Sequence, residues 1–132
     1  MASEEVLNNG ILLTYSAAEV KQMFDEDKVV LIDVRTPIEY AYEHIKGALL
    51  SPLACFDVRH LPTQTDKPII FHCGSGVRSK MVAGKFLAAG HARVAHMDGG
   101  FGAWKQAGYT YLTTNPMTGD LVSRADKPAM AA

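Results

Sequence analysis

Ile69-Ile70-Phe71-His72-Cys73-Gly74-Ser75-Gly76-Val77-Arg78-Ser79 decides how this chain reads. A short apolar run ends in a cysteine, two glycines and an arginine follow, and helical spacing then begins. The stretch reads as a strand, a tight loop and a helix start, with a thiol at the strand's mouth. The nucleophilic form of cysteine is the thiolate, and its pKa falls near a helix N-terminus or a cation. Helix N-termini carry unpaired N–H groups and partial positive charge. Gly74 and Gly76 lack a Cβ, so the backbone can curl with positive φ and turn successive amides inward as an anion-holding nest. Arg78 keeps its charge and can fork onto the oxygens of an anionic substrate. Cys73 is therefore the candidate nucleophile, cradled by Gly74, Ser75, Gly76, Val77, Arg78 and Ser79. An inert buried cysteine would not require Gly-x-Gly-x-Arg directly after it.

Outward from this stretch, strand and helix patterns alternate. Residues 1–10 read as a loose start and Ile11-Leu12-Leu13 as a short strand. Ser16 to Glu19 has the form of a capping box, opening a helix over about 17–26. Val29 to Val34 is nearly continuous apolar sequence, the pattern of a strand buried on both faces. Thr36-Pro37 suits a helix N-cap and N1, with a short helix to Tyr42. Ala48-Leu49-Leu50 reads as a strand and Ala54 to Leu61 as a helix. After the key loop, Met81, Val82, Ala83, Phe86 and Leu87 share one helical face, closed by Gly90. Val94 to Met97 is a further buried strand, and Phe101 to Gln106 a short helix. Periodicity fades beyond Tyr111, which predicts one domain over 1–112 and a mobile tail over 113–132.

This alternation calls for an α/β fold with a largely parallel sheet covered by helices on both faces. In such sheets the active crevice lies beyond the carboxyl ends of the strands. Asp33, Arg35, Cys73 and Asp98 all fall at or just after strand ends and so can share one rim.

The 132 residues make one domain's worth of chain, and the formal net charge of -1 comes without a basic block, which argues against nucleic acid. Two cysteines, Cys55 and Cys73, make no disulfide framework, so a reducing, cytoplasmic setting is expected. No signal peptide and no apolar run near the roughly 20 residues of a membrane span is evident. The five histidines are scattered and suggest no zinc site. Cys55 reads as a small hydrophobe.

Three separated motifs resemble the single-domain rhodaneses, the thiosulfate-type sulfurtransferases. The first is Asp33-Val34-Arg35, then Glu39-Tyr40, His44-Ile45-x-Gly47-Ala48 and Pro52. The second is Cys73-x-x-Gly76-x-Arg78-Ser79. The third is Gly99-Gly100 with Trp104 and Gly108-Tyr109. The chain departs once, carrying Glu43 where the family usually has glycine before His-Ile. The resemblance implies a rhodanese-like sheet of about five mostly parallel strands and catalysis without metal or cofactor. It implies that Cys73 takes sulfur from a donor such as thiosulfate, holds it as a persulfide, and yields it to cyanide, a thiol or a sulfur-accepting protein. The loop amides would stabilise the persulfide anion, and Arg78 would orient an anionic donor. Asp33 and Arg35 resemble a pair that braces the loop. Glu39 is expected either to pair with Arg35 or to stand as a solvated charge. His72, next to Cys73 in a strand, should point to the opposite face.

Two other classes compete. Cys-dependent phosphatases and arsenate reductases share the His-Cys start, but here only Gly74 to Val77 separate Cys73 from Arg78, one residue fewer than the phosphatase loop. The shorter loop fits a single sulfur atom better than a tetrahedral oxyanion. A non-catalytic rhodanese-like module or sulfur carrier is the other reading, and such binding modules commonly lack the cysteine.

Overall fold

A computed structural model of the chain describes residues 2–126. Its centre is the sheet demanded by the two apolar runs. Strands β1 (Ser3–Leu7), β2 (Gly10–Tyr15), β3 (Val30–Asp33), β5 (Leu49–Leu50), β6 (Ile69–His72) and β7 (Arg93–Met97) lie in the order β1-β2-β7-β6-β3-β5. The five from β2 to β5 pair in parallel, and β1 closes one edge antiparallel to β2. Helices α1 (Ala17–Asp25), α2 (Pro37–Tyr42), α3 (Val77–Ala88) and α4 (Gly100–Gln106) connect them. A second, antiparallel sheet joins β4 (Glu43–His44), β8 (Tyr111–Thr114) and β9 (Leu121–Arg124).

Side-chain alternation along the strands builds two cores. Leu31, Ile70, Ala95 and Met97 pack with Val20 of α1 and with Phe101 and Trp104 of α4. Leu12, Ile32, Ile69, Phe71 and Val94 pack with Val82, Ala83, Phe86 and Leu87 of α3. All four residues of β6 are buried, as both-face coverage requires. Both predicted helix starts form capping boxes: Ser16 with Glu19, and Thr36 with Glu39 behind Pro37 at the first turn.

Four expectations need correction. Ser3–Leu7 is a strand rather than a loose start, because Asn8 and Asn9 take positive φ and turn it back onto β2. Residues 54–61 do not form one helix. They make two short 3-10 turns, Leu53–Cys55 and Val58–His60, broken where the Asp57 carboxylate captures the Arg59 amide. Met81 is 52% exposed while Val82, Ala83, Phe86 and Leu87 are buried, so the inward face of α3 is narrower than the spacing suggested. The expected tail from residue 113 instead runs through β8 and β9, across the expected boundary at 112. β8 pairs with β4 and buries alternate residues, whereas β9 is held by its pairing with β8 and is exposed throughout, which leaves little hydrophobic pattern to read there. The rest of that expected tail, 127–132, lies outside the described residues.

Candidate active site

Cys73 follows β6 directly, on the α3 side of the sheet, and is fully buried. Gly76 is the N-cap of α3 at φ 113°, a left-handed conformation that favours glycine. This turns its amide onto Cys73 Sγ at 3.0 Å. Burial pushes the thiol up, yet the Ser79 amide and hydroxyl, with the amides of Gly76 and Ser75, bring it below its ordinary value. The predicted nest therefore forms around the sulfur. Of the two glycines, only Gly76 uses positive φ. Gly74 instead makes room: a Cβ there would lie 3.2 Å from Arg78 Nη2.

The Gly99-Gly100 turn seats the loop from behind. The Phe101 amide donates to the Cys73 carbonyl at 2.7 Å and the Gly102 amide to the Gly74 carbonyl at 3.0 Å. A Cβ on Gly100 would fall 2.4 Å from the Cys73 carbonyl oxygen, so this approach admits only glycine.

Arg78 stands at the rim, about a third exposed, and forks onto the Glu39 carboxylate at 2.7 and 3.2 Å. Glu39 thus pairs with Arg78 and not with Arg35. Its hydrogen bond to Arg78 is the main reason its carboxyl sits at about 2, well below the ordinary 4.5. Glu39 also accepts from the Thr36 amide, which fixes the carboxylate on the first turn of α2.

Arg35 is committed elsewhere. Its Nε and Nη2 meet Asp33 at 3.0 and 2.8 Å, its Nη2 donates to the Glu43 carbonyl at 2.7 Å, and its guanidinium lies 4.5 Å from the Phe101 ring centroid. Among the described residues neither Asp33 nor Arg35 hydrogen-bonds to Cys73 or Arg78. Asp33 pairs in register with His72 at the end of β6. Glu43, the departure from the family pattern, has extended backbone at φ -147°, so nothing there demands glycine, and its carboxylate accepts from Lys105 at 2.8 Å. His72 points to the opposite face from Cys73, toward Phe101. Its Nε2 is buried 3.7 Å from Asp33 and has no hydrogen-bond partner among the described residues. Trp104 is core packing, with its indole N–H on the Thr110 carbonyl at 2.9 Å. Asp98 has its amide on the Tyr15 carbonyl at 2.8 Å, which ties the turn after β7 to the end of β2.

Sequence reasoning missed the polar chain behind the thiol. Cys73 Sγ lies 3.7 Å from Ser79 Oγ, Ser79 Oγ lies 2.9 Å from His96 Nδ1, and His96 Nε2 lies 3.1 Å from Thr14 Oγ1. The available signal was a histidine at the inward position of β7, two residues after Val94 in an otherwise apolar run.

Among the described residues no helix is long and apolar enough to cross a membrane. The Rhodanese-like domain family matches residues 16–107. An uncharacterised protein of Synechocystis is 34% identical over 102 residues, covering 77% of this chain but only 57% of that protein. The thiosulfate sulfurtransferase GlpE of Pseudoalteromonas translucida is 34% identical over 94 residues, covering 70% of this chain and 88% of that one. Among solved structures, a rhodanese-like domain protein of Staphylococcus aureus superposes with a TM-score of 0.61 at 30% identity, over 69% of this chain and 89% of its own. With its parallel sheet and its Cys73 loop, the chain belongs to the rhodanese-like domain family.

Proposed function

We propose that the chain is a sulfurtransferase that carries sulfane sulfur as a persulfide on Cys73. One observation carries this reading. The sulfur of a fully buried cysteine is ringed by the amides of Ser75, Gly76 and Ser79, in a loop with only four residues between Cys73 and Arg78. That ring suits one anionic sulfur atom. Gly100 and the α4 amides, which seat the loop by backbone contacts, keep it preorganised for charge.

The thiolate attacks the outer sulfur of a donor such as thiosulfate. The new S–S bond forms as the old one breaks, and sulfite departs with the bonding pair. A thiophilic acceptor such as cyanide or a cellular thiol then attacks the terminal sulfur, and Cys73 returns as thiolate. This splits one transfer into two covalent steps. Arg78 orients an anionic donor at the rim, where it must exchange the Glu39 carboxylate for the donor's oxygens. Asp33 and Arg35 serve as the brace beneath β6.

The test is the intact mass of the reduced protein after thiosulfate, beside Cys73→Ser. The native protein should gain one sulfur atom and lose it to cyanide, while the variant gains none and keeps its fold. No gain on the native protein would overturn the reading and favour a binding module. Sulfur on the variant would overturn the site.

A further inference from the structure

A buried thiol needs somewhere to send its proton. Cys73 and Ser79 are fully buried and His96 is 5% exposed. The half-buried Thr14 is where this polar chain approaches solvent. We infer that Ser79, His96 and Thr14 form a proton path out of Cys73, with His96 switching tautomer as the thiol becomes thiolate. This rests on the sulfurtransferase reading for its purpose, but not for its geometry.

Each link can run in either direction. With the thiol, Sγ–H donates to Ser79 Oγ, the Ser79 hydroxyl donates to His96 Nδ1, and His96 Nε2–H donates to Thr14 Oγ1. With the thiolate, the Ser79 hydroxyl donates to Sγ, His96 Nδ1–H donates to Ser79 Oγ, and the Thr14 hydroxyl donates to Nε2. Between these states Sγ gives up one proton, Nδ1 gains one, and Nε2 releases one to water beside Thr14. No charge stays on the imidazole. The reversed chain also points a hydroxyl at the sulfur, which favours the thiolate.

The charges around His96 suit a relay better than a store. Burial is the main influence holding the ring neutral, and Lys80 of α3 acts the same way. Asp98 after β7 and Glu5 of β1 pull in the opposite direction without prevailing. Lys80 is itself paired with Glu5 at 3.0 Å, which tempers both. A competing acceptor for the Ser79 hydroxyl is the Gly76 carbonyl at 3.2 Å, longer than the 2.9 Å to His96. His96 touches no reacting atom and is a positioning residue.

The experiment follows the ring nitrogens of His96 by NMR across pH, alongside the thiolate absorbance of Cys73, in the native protein and in Cys73→Ser. The native spectra should show Nδ1 and Nε2 exchanging protonated and bare character in step with the thiolate signal, while Cys73→Ser keeps one tautomer throughout. One unchanging tautomer in the native protein, or the same change in both proteins, would overturn the proposal. A second measurement is alkylation of Cys73 in His96→Asn, which should behave as if the thiol midpoint rose by about one unit, with ~10-fold less thiolate below it. An unaltered alkylation profile would overturn it as well. Should His96→Asn not fold, Thr14→Val breaks the outer link and should slow alkylation in the same direction; a native rate would be refuting. Failure of sulfur uptake from thiosulfate would count against the sulfurtransferase reading alone, because none of these readouts needs a donor.

Discussion

Gly100→Ala isolates what holds the Cys73 loop. The new Cβ would sit 2.4 Å from the Cys73 carbonyl oxygen, 2.7 Å from the Gly74 carbonyl carbon and 2.8 Å from its oxygen. All three are backbone atoms, so no side chain can swing aside. The loop must lift, releasing the Phe101–Cys73 and Gly102–Gly74 hydrogen bonds. Each is worth about 0.5–1.5 kcal/mol. An alanine at φ 57° adds about 1–2 kcal/mol of left-handed strain. The expected loss of stability is therefore about 2–5 kcal/mol. Gly119→Ala is the matched control, since φ there is 79° and nothing among the described residues lies within 4 Å of its Cβ. It should cost only the strain, about 1–2 kcal/mol. Urea denaturation reads the difference, and thiosulfate-dependent sulfur uptake reads the loop, which in Gly100→Ala should lose its converging amides and slow by at least ~10-fold, the equivalent of about 1.4 kcal/mol. Equal stability losses in the two variants, with native uptake in Gly100→Ala, would refute the seat.

Glu39→Gln frees Arg78, so KM for thiosulfate should fall while KM for an uncharged donor stays put in steady-state assays. Its stability cost should be under ~1 kcal/mol, because both side chains of the pair are about a third exposed. The folded carboxyl, at about 2, lies below the ordinary 4.5, so its small contribution is present above pH 4.5 and is lost as pH falls toward 2. The native and Glu39→Gln denaturation midpoints should converge across that window. Burial holds His72 below the ordinary 6.5, so the native fold is favoured above that pH and loses stability as pH falls through it. His72→Phe should give a flatter decline between about pH 7 and 5 in denaturant titrations, with His96 supplying what slope remains. Asp33→Asn leaves the Arg35 guanidinium buried without its counter-charge and should cost about 3–5 kcal/mol by urea denaturation. A loss below ~1 kcal/mol would deny the brace.

Legibility followed locality. The runs reaching Val34 and His72 declared buried strands because their patterns are continuous, and the capping box at Ser16 and the Thr36-Pro37 start declared their helices within four residues. The amide nest was legible for the same reason, since it is built within one short loop. Partners set by the fold were not. Glu39 meets Arg78 across 39 residues, and a charge alone does not say which opposite charge it will face. The function of Gly99-Gly100 as a seat appears only once α4 is placed against the loop. β9 escaped notice because its order depends on pairing with β8, with no buried face to impose alternation.

The pairing of β2 with β7 bears on how the chain reaches this structure. Thr14 and His96 are 82 residues apart, whereas β6 and β7 meet over a much shorter span. Closing a longer loop costs more chain entropy, about 0.6 kcal/mol for each doubling, and parallel pairing at such separation folds slowly. The β3-β6-β7 core is thus expected to form before the β1-β2 hairpin docks. A chain paused at that stage already holds its cysteine loop but lacks the strand that carries Thr14. Maturation of the thiol's surroundings is then the last event of folding, and a fast alkylation pulse during refolding would record it as a late phase.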